Sequence, residues 1–348
     1  MDGVLSDALL SWYRQYGREL PWRSDTPDPW IVLVSEFLLQ QTRVETIAPR
    51  FDDIIRTIPD PASCARLEDS ELDRLWQGLG YYRRARNLRA AARQICERHD
   101  GRVPDQADAL AALTGIGPYT TGAIMAIAFN QPVPGVDGNI ARVWARTSGT
   151  RCRPSEAATP ARQWLANLFE TGEPRQIMQA VMDLGATICT PRAPRCDACP
   201  LASDCVARQW PDPTETPIRQ QRKPTPHDAI VHAWITDGRN WFLEYRPRGL
   251  LGERPAPFCL TTPTPPDTLR FGHGHARLHA TGPAFRHVFT HRRWSVTPAL
   301  YHWKGHTPPQ SGSTTVVTID FEQLNDLGLP RAFSRALPWL LKEAVARD

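Results

Sequence analysis

Cys189, Cys196, Cys199 and Cys205 stand in a C-x6-C-x2-C-x5-C pattern, and four thiolates so close along a chain can wrap one inorganic centre. Zinc and a four-iron cluster both accept four cysteines. The spacing matches neither the paired C-x2-C knuckles usual for zinc nor the bacterial ferredoxin run, so it leaves both metals open. Two carboxylates are the next chemical candidates. Glu36 interrupts an apolar run from Trp30 to Leu39, within Val34-Ser35-Glu36-Phe37-Leu38-Leu39-Gln40-Gln41-Thr42. A carboxylate there is either exposed on one face or held in a poorly solvated pocket. In a pocket, lost hydration raises its pKa and makes it a general acid. Asp137, in Val136-Asp137-Gly138-Asn139-Ile140, reads by its own chemistry as a turn or helix-cap residue. Leu113-Thr114-Gly115-Ile116-Gly117-Pro118-Tyr119 joins two helical stretches. Its glycines allow a tight turn and close approach of a ligand, Pro118 suits a first helical turn, and free amides at that helix start can hold a phosphate.

The elements that must position these groups divide the chain. At 348 residues, two domains are the default expectation. Residues 1–210 read as mostly helical: Leu72, Leu75, Trp76 and Leu79 recur at helical spacing, and the Ala and Met content of Ala123–Phe129 favours helix. Arg83, Arg84, Arg86, Arg89, Arg93 and Arg98 make one stretch strongly basic, either a solvated helix face or a phosphate-binding one. Prolines 211, 213, 217, 224 and 226 mark residues 211–226 as an extended, exposed linker. Beyond it, Ala229–Ile235, Trp241–Tyr245, Val296–Trp303 and Thr314–Ile319 are strand-like, and Pro330–Ala346 looks helical. A net charge of +4 permits a polyanionic partner. No run is long and apolar enough for a membrane span, and the first ten residues lack a signal-peptide core, so a cytoplasmic chain without disulfides is expected. Cys64, Cys96, Cys152 and Cys259 are isolated and read as core residues. His273, His275 and His279 read as surface histidines of a glycine-rich loop. His287 and His291 have zinc-like spacing but lack the glutamate of H-E-x-x-H, which excludes a metalloprotease.

Several of these motifs together resemble the endonuclease III and MutY family of DNA glycosylases. The cysteine spacing is similar to that family's iron–sulfur loop, and Ser35-Glu36-x-x-Leu39-Gln40-Gln41-Thr42 to its catalytic-glutamate segment. Leu20-Pro21-Trp22-Arg23, Gly78-Leu79-Gly80-Tyr81-Tyr82, Arg86-Asn87-Leu88 and Met182-Asp183-Leu184-Gly185-Ala186 also match, over about residues 10–210. The hairpin departs mildly, with Thr114 where the family usually has proline.

The resemblance implies a multidomain protein. An all-α helix-hairpin-helix glycosylase domain would occupy residues 1–210, with a six-helix module at about 27–133 and an iron–sulfur module from 1–26 and 134–210. After the 211–226 linker, residues 227–348 would form an α+β Nudix-like (MutT-like) domain that recognises 8-oxoguanine. The acid-rich Nudix metal helix is absent, so no pyrophosphatase activity is expected. By resemblance the four cysteines hold a [4Fe–4S] cluster and Arg192 and Arg195 suit a DNA-contacting loop. Glu36 protonates adenine, Asp137 stabilises the cationic sugar, Asn139 orients Asp137, and Tyr119 lies in the active site. Bifunctional relatives carry a nucleophilic lysine at the Tyr119 position, so a monofunctional enzyme is implied, and Ala141 removes a second lysine position. Gln41 and Tyr81 would enter the duplex, Thr42, Gly115 and Gly117 would contact it, and Arg23 and Gln179 would read the flipped adenine. Phe289-Thr290-His291 resembles the loop that probes the oxidised base. The expected partner is double-stranded DNA with A:8-oxoG or A:G mispairs, met by a monomer in a bacterial nucleoid; a replication-clamp contact stays open. An endonuclease III-type glycosylase/AP lyase for oxidised pyrimidines and a non-catalytic iron–sulfur DNA-binding protein are the alternatives.

Overall fold

The computed structural model describes residues 2–218, 224–246, 255–289, 291–310, 315–327 and 329–345. Backbone contacts divide the chain into two compact units, Met1–Glu68 with Tyr81–Gln221, and Asp69–Gly80 with Arg222–Asp348. Among the described residues no helix is long and apolar enough to cross a membrane.

The first unit is helical. Its Pro29–Leu39 helix starts on Asp28, whose side chain accepts from the Trp30 amide at 2.7 Å, with Pro29 in the first turn. Trp30, Val32, Leu33, Val34, Phe37 and Leu38 are all buried, so the helix has no polar face and Glu36 is carried inside. The Pro118–Ile127 helix is buried from Thr120 onward. A Cβ on its Gly122 would collide with the Gly135 backbone, so only a glycine pair lets the chain cross there. That crossing leads directly into the Gly138–Ser148 helix, which Asp137 caps. The Pro174–Asp183 helix widens into a π-helical turn over Leu184–Ile188 that ends at Cys189. The extra residue in such a turn re-aims the chain beyond it, here the cysteine loop.

Two sequence expectations are corrected here. In the Arg83–Arg98 helix, Arg84 is buried and Arg89 half-buried, so these two are not part of a solvated face, whereas Arg93 stays exposed. Arg89 donates to the Leu67 carbonyl at 2.7 Å and Arg84 to the end of the Pro29–Leu39 helix, while Arg93 donates at the surface to the Ala65 carbonyl at 3.0 Å. Nor is the proline-rich stretch free up to residue 218. Thr216 is fully buried, its hydroxyl donates to the Thr150 carbonyl at 2.7 Å, and the Ile218 amide donates to the Cys152 carbonyl at 2.8 Å. Proline content marks missing amide donors, but the remaining polar groups of this stretch found partners in the helical unit. Residues 219–223 of the expected linker lie outside the described residues.

The second unit holds a nine-stranded sheet. Its strands are β1 His227–Thr236, β2 Asn240–Tyr245, β3 Pro255–Ala256, β4 Phe258–Leu260, β5 Thr268–Phe271, β6 Gly274–Thr281, β7 Phe285–Val288, β8 Arg293–Lys304 and β9 Thr315–Asp320. The main path is β3-β2-β1-β8-β6-β5, with β4 on β1, β7 on β8 and β9 on β2. Only β1 and β8 run parallel among these pairs, from His227 opposite Arg293 to Thr236 opposite His302. Side chains alternate between two cores: Ile230 and Trp234 pack with Phe333, Ala336 and Leu340 on one face, Val231, Ala233 and Ile235 with Phe258 and Trp303 on the other. The expected helical tail is two pieces, Arg331–Ser334 and Leu337–Val345. The histidine-bearing segment read as a loop is the β5–β6 hairpin, with Arg270 opposite His275.

Candidate active site

Glu36 lies on the wall of a small cavity that Arg23, Gln179 and Met182 also line. It is only 5% exposed. Burial pushes its pKa up to about 7, a hydrogen bond from the Tyr119 hydroxyl pulls it back, and the nearby Asp137 charge raises it further. Tyr119 is the second residue of the Pro118–Ile127 helix. Burial, together with the Glu36 and Asp137 charges, holds its phenol well above the usual value, so it stays a neutral donor. The hydroxyl also lies 3.9 Å from the Met182 sulfur.

Asp137 answers to both readings of its motif. As helix cap it accepts at Oδ1 from the Ile140 amide at 2.8 Å, and its Oδ2 accepts from Asn139 Nδ2 at 2.9 Å. Capping geometry therefore aims the carboxylate, and burial raises its pKa while these hydrogen bonds and Arg142 oppose the rise. Arg142 continues the chain of contacts. Its Nη2 donates to Asn139 Oδ1 at 2.8 Å and to the Gly185 carbonyl at 2.7 Å, and its Nε donates to the Cys189 carbonyl at 2.8 Å. Sequence reasoning missed this arginine, because an Arg inside a helix carries no spacing signal for a buried partner.

Arg23 and Gln179 both line the cavity. The Arg23 fork is already engaged, with Nη1 2.8 Å from Asp183 Oδ2 and Nη2 2.9 Å from Oδ1, and Arg18 binds the same carboxylate through Nε at 2.8 Å. Burial alone would raise Asp183, but the Arg23 and Arg18 hydrogen bonds win and hold it below the usual range. Arg23 thus faces the cavity as part of a fixed ion-pair cluster. The Gln179 amide donates to the Arg175 carbonyl at 3.3 Å. In the hairpin, only Gly115 needs its residue type for the turn: φ is +84° and a Cβ would lie 2.8 Å from Asn87 Cβ. Gly117 has φ −103° and open space around it, so its value lies in leaving the helix start uncovered. Gln41 and Tyr81 are exposed, both with left-handed backbone, and Thr42 Oγ1 accepts from Arg84 at 2.8 Å.

Cys189, Cys196, Cys199 and Cys205 line one apolar cavity in the first unit. Among the described residues no group of three or more His, Cys, Asp or Glu is placed to hold a single metal ion. Four thiols around one apolar space can wrap a single inorganic centre, and the geometry leaves zinc and a four-iron cluster open as the spacing did. Burial pushes the Cys199 thiol up to about 12, so ligation requires a cationic centre that stabilises the thiolate. Arg146 Nη1, 3.4 Å from Cys189 Sγ, adds positive charge beside the sulfurs.

In the second unit Phe289 is half-buried, edge-on to Trp294 at 4.7 Å and to His287 at 4.5 Å, and His291 is exposed in the β7–β8 turn. Thr290 lies outside the described residues.

Comparison with known proteins agrees with this geometry. A model of the HhH-GPD superfamily of base excision DNA repair proteins matches residues 34–166, and one of the iron–sulfur binding domain of endonuclease III matches residues 189–205, so the four cysteines hold a [4Fe–4S] cluster. The adenine DNA glycosylase of Mycobacterium tuberculosis is 37% identical over 231 residues, 66% of this chain and 76% of that protein. The human adenine DNA glycosylase is 41% identical over 212 residues, 58% of this chain but only 39% of that longer protein. The structure of a thermostable thymine-DNA glycosylase superposes with a TM-score of 0.55 at 27% identity, covering 60% of this chain and 96% of that one.

Proposed function

The chain belongs to the adenine DNA glycosylase family of base excision repair proteins, and we propose that it hydrolyses the N-glycosidic bond of adenine mispaired with 8-oxoguanine or guanine in double-stranded DNA. One observation carries the reading: a buried carboxylic acid, Glu36, with a pKa of about 7, faces a cavity and shares its surroundings with a second buried carboxylate. Adenine is a poor leaving group as an anion. With the nucleotide extruded, Glu36 gives its proton to a nitrogen of the five-membered ring, and the bond electrons pass to the departing base. The sugar is left as an oxocarbenium-like cation, which the Asp137 carboxylate stabilises until water adds to the sugar carbon and sheds a proton. The Tyr119 hydroxyl donates to the Glu36 carboxylate once the proton has gone. It supplies no amine, so no Schiff base forms and the enzyme is monofunctional.

The cluster supplies a rigid frame for the loop from Cys189 to Cys205, and Arg142 ties that loop to Asn139 and Asp137. Arg142→Met is therefore expected to lower excision by about 10–100-fold and to loosen the cluster. Single-turnover rates and visible absorbance measured on the same preparation check this, and a variant normal in both would refute the link. For the α+β unit we propose a Nudix-like recognition role, with Phe289, Thr290 and His291 probing the oxidised base opposite adenine.

The test is single-turnover excision on duplexes with adenine opposite 8-oxoguanine, guanine, cytosine and thymine. Excision opposite the two purines is expected to be at least about tenfold faster, and borohydride is expected to trap little protein on DNA. Equal rates for all four partners would remove the proposed mispair preference. Strong trapping would favour the lyase reading for oxidised pyrimidines.

A further inference from the structure

Two residues bordering the site are held in a backbone conformation that side chains disfavour: Gln41 at φ +59° and Tyr81 at φ +50°. Neither is glycine, so each persists only because its surroundings impose it. One side chain reaches both places. Arg84 is buried, and its Nη1 donates to the main-chain oxygens of Phe37 at 3.1 Å, Leu38 at 2.9 Å and Gln40, while Nη2 donates to Thr42 Oγ1 at 2.8 Å. These carbonyls end the Pro29–Leu39 helix, where no further turn supplies amides. Gln40 and Thr42 flank Gln41, so the guanidinium brackets the left-handed residue. On its other side the Arg84 guanidinium carbon lies 5.4 Å from the Tyr81 ring centroid. The Arg84 amide also donates to the Tyr81 carbonyl at 2.8 Å, closing the turn on which Tyr81 sits.

We propose that Arg84 is a positioning residue for base extrusion: its guanidinium locks Gln41 and Tyr81 into one rigid edge that the duplex meets as a unit. The inference rests on the adenine-excision reading above and adds to it the residue that sets the geometry of opening. Arg84 contributes nothing to bond cleavage itself, because its Nη1 and Nη2 donate to the helix end and to Thr42. A planar fork can serve several acceptors on two sides at once, whereas a lysine ammonium is a single point of charge without that plane. The backbone beneath both exposed side chains, Tyr81 at 43% of its surface, is thereby pre-set, so less conformational freedom is lost on meeting DNA.

The test compares wild type, Arg84→Met and Arg84→Lys on a duplex with 2-aminopurine beside the target adenine. Fluorescence reads extrusion, and alkali cleavage of the product reads excision. Both variants are expected to keep the visible cluster absorbance and cooperative unfolding while extrusion slows by about tenfold or more. Excision then becomes limited by extrusion and loses the pH dependence that Glu36 otherwise imposes. A purely structural role would not produce that loss. Arg84→Lys guards against a misfolded Met variant, and extrusion at the wild-type rate by Arg84→Lys would overturn the proposal. Loss of cluster absorbance and cooperative unfolding in both variants would also overturn it, by making Arg84 a residue of the fold alone. If wild type opens the duplex but releases no adenine, the substrate reading fails while the fluorescence comparison still decides the role of Arg84.

Discussion

Glu36→Gln is expected to slow single-turnover release of adenine by about 10²–10⁴-fold while duplex binding is retained. The amide has the shape of the acid but no proton of suitable acidity to give. The same group sets the pH profile of the wild type. Glu36 must be protonated to act, and burial sets its pKa at about 7, so excision should be high below that value and fall as pH rises through it. Linkage gives an independent check. The unfolded carboxyl titrates near 4.5 and the folded one near 7, so between those values the unfolded state binds fewer protons and wild-type stability falls with rising pH. Glu36→Gln removes that loss and should stabilise the protein at pH 8 by an amount on the order of 3 kcal/mol at most. Wild-type excision rates in the variant, or a wild-type profile flat through neutrality, would reject Glu36 as the acid.

Asp137→Asn is expected to lower excision by about 10²–10³-fold with little change in thermal stability. Asparagine caps helices as well as aspartate does, and its carbonyl oxygen can still accept from the Ile140 amide, so the Gly138–Ser148 helix should remain intact. The negative charge facing the developing sugar cation is lost. The substituted amide must also sit against Asn139 Nδ2, which now donates to a carboxylate oxygen at 2.9 Å, so two donors would meet. Burial of Asp137 makes this loss of charge matter more than it would at the surface. A normal helix with normal excision in the variant would show that the carboxylate serves only as a cap.

The two acids differ in what made them legible. Glu36 stood out because a charged residue in an otherwise apolar helical run is costly unless something requires it. Asp137 did not stand out on its own chemistry, since Asp-Gly followed by a helix is an ordinary cap, and the structure makes it one. Its second use depends on Gly122 and Gly135 letting the chain cross the Tyr119 helix at backbone distance. The cysteine loop was legible by spacing, but the Arg146 guanidinium beside Cys189 Sγ was not. In the second unit, the longer strands β1, β2, β8 and β9 were visible as β-branched and aromatic runs, whereas β3, β4 and β7, at two to four residues, were too short to show alternation.

By itself the amino-acid sequence determined which chemical groups are available: a carboxyl in an apolar helix, a phenol where a lysine would cut the strand, and four thiols in one loop. Local order came from it as well, because caps, helical periodicity and glycine turns act over a few residues. Only the tertiary structure decided the states and duties of those groups. It buried Glu36 and thereby set its acidity, made Arg84, Arg142 and Arg23 internal ties, and fastened a proline-rich stretch that looked free. The physical reason is that pKa and hydrogen-bond partnership depend on what surrounds an atom in space, and those neighbours come from segments far apart along the chain.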